Sequence, residues 1–143
     1  MDKLGKKEIE TILPHRDPFL MIDEVIEVKP GKKIIAVKHV KEEEYYFKGH
    51  FPANPIMPGV LMLEAIAQAG AVAVLMLPEN KGRLILFAGI DKARFKRIVK
   101  PGDDLIIEVS ITDFRRNIGK AEGTAKVADE LACYSEAMFA VSK

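Results

Sequence analysis

Hydrophobic residues recur along this chain with two different periods, and the change from one to the other locates its main elements. Leu105, Ile107, Val109 and Ile111 alternate with Glu108, Ser110 and Thr112, the two-residue period of a strand with one buried face. Ala121, Gly123, Ala125 and Val127 alternate with Lys120, Glu122, Thr124 and Lys126 in the same way. Residues 60–77 do not alternate: every position is apolar except Glu64 and Gln68, and Pro58 and Pro78 frame the run. Proline suits the first turn of a helix and ends one, so the pattern predicts a helix over 60–77. A helix that is apolar all round must be buried all round.

The remaining segments complete a small α+β domain. Ile9, Ile12 and Leu13 stand at helical spacing before Pro14, which predicts a short helix over 6–13. Residues 19–28 and 33–47 are rich in Val, Ile, Tyr and Phe around Pro30-Gly31, the signature of a hairpin. Pro52, Pro55 and Pro58 make 48–58 an irregular loop leading into the long helix. Four strands are expected after it: 83–99 with a break near Asp91, then 104–115, 119–128 and 131–141. The breaks fall at Pro101-Gly102, Asn117 to Gly119 and Asp129-Glu130, and such short links favour antiparallel neighbours. The inward face of 119–128 carries small residues and leaves room for one bulky object, the 60–77 helix. The expectation is a single domain over 1–143, an antiparallel sheet curled round one central helix.

Composition narrows the function classes. A chain of 143 residues with 48% apolar and 30% charged positions buries about two-thirds of its unfolded surface, enough for one core without staples. Lys and Arg total 22 against 21 Asp and Glu, a formal +1, so no global charge draws it to nucleic acid or an anionic membrane. The lone Cys133 gives no intramolecular disulfide and no Cys-rich zinc site, and fits a reducing compartment. Residues 1–10 are charged and lack the apolar run of a signal peptide. Residues 60–77 approach the length of a membrane span, but a carboxylate at mid-bilayer costs about 2.5–3.5 kcal/mol. A cytoplasmic protein without membrane insertion is expected.

Polar groups are scarce between His50 and Gln68, which makes each of them informative. Glu64 and Gln68 are four residues apart and share one helix face. Burial of an isolated carboxylate favours its protonated form, so Glu64 is a candidate general acid. His50, in a loop stiffened by proline, is a candidate base. Gly59 at the helix start offers an N–H that a carbonyl oxygen can approach closely, where the helix dipole favours negative charge. The three groups suit removal of a proton beside a carbonyl: His50 as base, Glu64 as acid to a leaving hydroxyl, the Gly59 N–H steadying the enolate. The residues alone leave a plainer reading open, in which Glu64 bonds Gln68 or strand backbone for packing and His50 is structural.

The run HFPANPIMPGVLMLEAIAQAG at 50–70 resembles the active-site segment of the 3-hydroxyacyl-acyl-carrier-protein dehydratases, the FabZ-type family of fatty-acid synthesis with a hot-dog fold. LPHRDPFLMID at 13–23 and FAGIDKARF at 87–95 resemble two further motifs of that family, in the same order. The resemblance implies that His50 and Glu64 are catalytic and that the Gly59 amide polarises the thioester carbonyl, with Phe51, Val60 and Gln68 beside the substrate. It also implies elimination of water from a 3-hydroxyacyl thioester to give a trans-2-enoyl thioester, with no metal or redox cofactor. The substrate's phosphopantetheine arm arrives on acyl carrier protein. His50 of one subunit would face Glu64 of another in a homodimer, and such dimers commonly gather into hexamers, trimers of dimers. The same hydroxyacyl chains feed lipid A synthesis where a cell makes it. The dehydratase-isomerase branch usually has Asp at the place of Glu64, which favours a plain dehydratase. Ala53 and Met57 stand where the family often has Gly and an aromatic residue, and His15, between Pro14 and Arg16, reads as structural.

Residues 91–100 hold Lys92, Arg94, Lys96, Arg97 and Lys100 against Asp91, a local excess of positive charge. Acyl carrier protein is acidic, so Lys92, Arg94, Lys96 and Arg97 are candidate docking residues; a solvated strand face is the plain alternative. Phe95 alone interleaves the strip, a poor pattern for nucleic acid. Two competing functions remain on the same fold: a hot-dog acyl thioesterase, and a non-catalytic acyl-thioester-binding subunit.

Overall fold

The computed structural model of the chain describes residues 3–142. Helix α1 (Lys6–Ile12) opens the fold, with the Glu8 side chain reaching back to the Gly5 N–H at 2.8 Å. Strands β1 (Glu24–Lys29) and β2 (Lys33–His39) form the expected hairpin. Helix α2 (Gly59–Leu75) follows the proline-rich loop. Strands β3 (Ile85–Phe95), β4 (Asp104–Arg115), β5 (Ile118–Val127) and β6 (Glu130–Val141) complete a six-stranded antiparallel sheet in the order β1-β2-β4-β5-β6-β3.

The sheet wraps α2 as the residue pattern requires. Leu105, Ile107, Val109 and Ala125 point inward and are essentially buried, and Gln68 is the one polar side chain of the fully buried stretch of α2. Small residues on β5 let the helix approach: a Cβ on Gly123 would lie 2.2 Å from Ile66 Cγ2. At the hairpin turn Gly31 adopts φ +76°, and its N–H donates to the Ala73 carbonyl at 2.8 Å, tying the turn to α2. Among the described residues no helix is long and apolar enough to cross a membrane.

Five expectations need correction. The first strand begins at Glu24 instead of residue 19, because Phe19 and Met21 spend backbone groups on Gln68 of α2 and Arg16 bonds Glu10 of α1. The second ends at His39, and Tyr45–Lys48 form a 3-10 turn whose Tyr46 and Phe47 are buried, so their aromatic character reports core packing and not strand. Helix α2 stops at Leu75, two residues short of 77, where a further 3-10 turn at Pro78–Asn80 takes over. Strand β3 does not pair with β4 despite the short link; β4 already lies between β2 and β5, and β3 crosses to the far edge beside β6. The break expected near Asp91 is a bulge between Ile90 and Lys92, which lets β3 run unbroken to Phe95.

Candidate active site

A narrow cavity, part of it open to solvent, runs between α2 and the inner face of β3 to β6. Its polar end is made by His15, Glu64 and Gln68, and its apolar length by residues such as Ala67, Ala71 and Val74 facing Phe87, Ile111 and Phe139. From Glu64 to Val74 is ten residues of helix, roughly 15 Å. The shape suits a long apolar ligand with one polar group near its head.

Gln68 fixes the polar end. The side chain is 1% exposed and bonded at every turn: its Oε1 accepts the Met21 N–H at 2.7 Å, and its Nε2 donates to the Phe19 carbonyl at 3.0 Å and to Glu64 Oε2 at 2.9 Å. The two backbone bonds decide which end of the amide faces Glu64, so a donor and never an acceptor meets the carboxyl. Glu64 is not the sealed charge the apolar run suggests: its side chain is 21% exposed, facing the cavity.

The segment that supplies Phe19 and Met21 is itself pinned. The Arg16 guanidinium donates to the Leu13, His15 and Glu10 carbonyls at 2.9, 2.7 and 3.0 Å, fixing the turn that sets His15 against the cavity. His15 thereby lies with its Nε2 3.8 Å from Glu64 Oε2. Sequence reasoning read this histidine as structural; its only signal was membership of the motif at 13–23.

His50 is oriented by its own loop. Its Nδ1 lies 2.8 Å from the Ile56 carbonyl, which only a protonated Nδ1 can use, so Nε2 carries the lone pair and is free to act as a base. The Ile56 N–H donates back to the His50 carbonyl at 3.0 Å and closes the loop. Gly59 begins α2, where backbone N–H groups lack intrahelical partners. A Cβ there would come 2.8 Å from the Phe95 ring, so the position admits little more than glycine while that ring stays in place.

Within one chain the structure brings together Glu64 and Gln68. His50, Phe51, Gly59 and Val60 do not line this cavity, and Phe51 and Val60 are exposed. Lys92, Arg94 and Lys96 are exposed along and beyond the end of β3, whereas Arg97 is partly withdrawn by a 2.8 Å ion pair with Glu130.

The fold is the hot-dog fold. The dehydratase heterocomplex ApeI:P from Xenorhabdus doucetiae has a chain that superposes with a TM-score of 0.78 at 17% identity, over 94% of this chain and 91% of that one. An uncharacterized protein, PH1136 from Pyrococcus horikoshii, superposes at 0.69 and 14% identity over 100% and 96%. In sequence, the FabA-like domain family matches residues 13–136. A 3-hydroxyacyl-[acyl-carrier-protein] dehydratase FabZ from Chloroflexus aggregans is 57% identical over 97% of this chain and 96% of its own. Another so named, from Caldanaerobacter subterraneus, is 53% identical over 98% and 99%. The chain belongs to the FabA-like family and, within it, to the FabZ-type 3-hydroxyacyl-acyl-carrier-protein dehydratases.

Proposed function

We propose that the protein dehydrates (3R)-hydroxyacyl-acyl-carrier-protein to trans-2-enoyl-acyl-carrier-protein in the elongation cycle of type II fatty-acid biosynthesis, in the cytoplasm. The observation that carries the chemistry is the Glu64 carboxyl, held by the Gln68 amide at the head of an apolar cavity. The acyl tail lies along α2 and the 3-hydroxyl meets Glu64. His50 Nε2 removes the proton at C2, the Gly59 N–H and the α2 dipole steady the charge that develops on the thioester oxygen, and Glu64 protonates the departing hydroxyl.

A second copy of the chain completes the site. Strand β3 is an edge strand of 11 residues, and Leu86, Phe87, Ile90 and Phe95 on it are about half exposed. A long apolar edge of this kind invites pairing with another strand. The Gly59 backbone packs against Phe95, and the Met57 N–H bonds the Val99 carbonyl at 2.8 Å, so the His50 loop lies next to that edge. Antiparallel pairing of two β3 strands would carry His50 of one copy toward Glu64 of the other, and such dimers would gather as trimers of dimers. Arg94 and Lys96, together with Lys92 and Arg97, would receive the acidic carrier protein beside the cavity mouth.

Ultraviolet absorbance of the conjugated enoyl thioester, on mixing pure protein with a 3-hydroxyacyl carrier-protein substrate, tests the reaction. His50→Ala and Glu64→Gln should each lose about 100-fold or more of the rate while folding normally. Release of free thiol would instead indicate a thioesterase, and binding without turnover a carrier subunit. Mixing the two inactive variants as exchanging dimers should restore about a quarter of wild-type activity, since half the dimers are mixed and each has one intact site. No recovery on mixing would place both residues in one chain.

A further inference from the structure

Among the described residues that line the cavity, His15 is the one titratable side chain besides Glu64. Its backbone is clamped by Arg16, and its ring lies nearly parallel to that of Phe19, with centroids 6.4 Å apart and an interplanar angle of 18°. Nδ1 is buried and has no hydrogen-bond partner. A proton there would be a buried donor without an acceptor, which costs more than an idle lone pair. The unpartnered Nδ1 thus favours the tautomer with its hydrogen on Nε2, the atom that faces Glu64. The 3.8 Å between Nε2 and Glu64 Oε2 is too long for a hydrogen bond between them, and Gln68 already serves Oε2. An oxygen seated to one side can nevertheless lie about 2.8 Å from both groups.

We propose that His15 donates a hydrogen bond through Nε2–H to the 3-hydroxyl that Glu64 protonates, and so acts as a third catalytic side chain that recognises the leaving group. The inference rests on the dehydratase reading above. In the step itself His50 takes the C2 proton, and the C–H electron pair becomes the C2=C3 bond. The C3–O bond breaks, and its pair stays on oxygen, which takes the Glu64 proton and leaves as water. Glu64 ends as carboxylate and His50 as imidazolium, and one proton returned through solvent resets both. His15 keeps its proton throughout. Its bond strengthens as negative charge grows on the departing oxygen, so it acts on the transition state more than on the bound substrate.

The test compares two thioesters that differ by one oxygen. In full-length His50→Ala protein, expected to bind without turnover, affinities for 3-hydroxybutyryl and butyryl pantetheine are measured by titration. Adding His15→Phe should reduce the preference for the hydroxylated ligand about fivefold to tenfold. His15→Gln, which keeps a donor near the Nε2 position, should retain most of it. With His50 intact, His15→Phe should lower kcat/KM by about 10- to 100-fold, and His15→Gln by only a few-fold. Nitrogen-15 spectra of His15 in the His50→Ala protein check the same idea without altering the residue. They should show the Nε2–H tautomer, with its proton moving downfield on 3-hydroxybutyryl pantetheine and not on butyryl pantetheine. Equal loss of both ligands, full turnover by His15→Phe, or an Nδ1–H tautomer would overturn the proposal. If wild-type protein forms no enoyl product, the dehydratase reading fails instead.

Discussion

Removing the Gln68 side chain strips partners from three groups at once: the Met21 N–H, the Phe19 carbonyl and the Glu64 carboxyl. The Met21 N–H is buried and the Phe19 carbonyl partly so, and a buried orphan costs about 1–3 kcal/mol. Gln68→Leu should therefore lower stability by about 3 kcal/mol in urea unfolding and, because Glu64 loses its orienting donor, depress kcat more than it raises KM. The spacing of Glu64 and Gln68 was readable as a shared helix face. The partners of Gln68 were not, because no local rule couples residue 68 to residues 47 and 49 positions earlier. His15 escaped for the same reason: nothing in the sequence near it says what lies across the cavity.

At the scale of elements, α2 and β5 meet so closely that glycine is required. Gly123→Ala places its Cβ 2.2 Å from Ile66 Cγ2, an overpacking that should cost about 1–3 kcal/mol. The Gly123→Ala, Ile66→Ala double variant should be more stable than the sum of the single losses predicts, a coupling measured by a double-mutant cycle. The alternation on β4 and β5 and the small face of β5 were legible because inward and outward positions differ chemically at every step. Strand order was less so: the place of β3 depends on which edge is vacant, a property of the whole sheet. A second cross-element contact titrates. His39 on β2 bonds Asp104 of β4 at 2.7 Å and Glu24 of β1 at 3.0 Å, first Asp104 and then Glu24 holding its pKa above the ordinary 6.5. The stabilisation is complete below 6.5 and is lost as pH rises through the higher folded value. Thermal stability should fall over that interval, modestly because the groups are solvent-screened, and Asp104→Asn should flatten the dependence.

Across the whole molecule, net charge is close to neutral while the end of β3 is locally basic. Arg94→Glu and Lys96→Glu should raise KM for a carrier-protein substrate and leave KM for a short pantetheine thioester unchanged, with the difference shrinking as salt is added. Arg97→Glu should have a mixed effect, since it also breaks the ion pair with Glu130. The hydrogen bonds from Gln68 to Phe19 and Met21 span 49 and 47 residues, and closing so long a loop is entropically slow. The acid end of the site therefore exists only once the N-terminal segment has come back to meet α2. During refolding, strand signals should return before turnover does, and the lag should shorten as protein concentration rises, because activity waits both for the chain to close on itself and for a second copy to arrive.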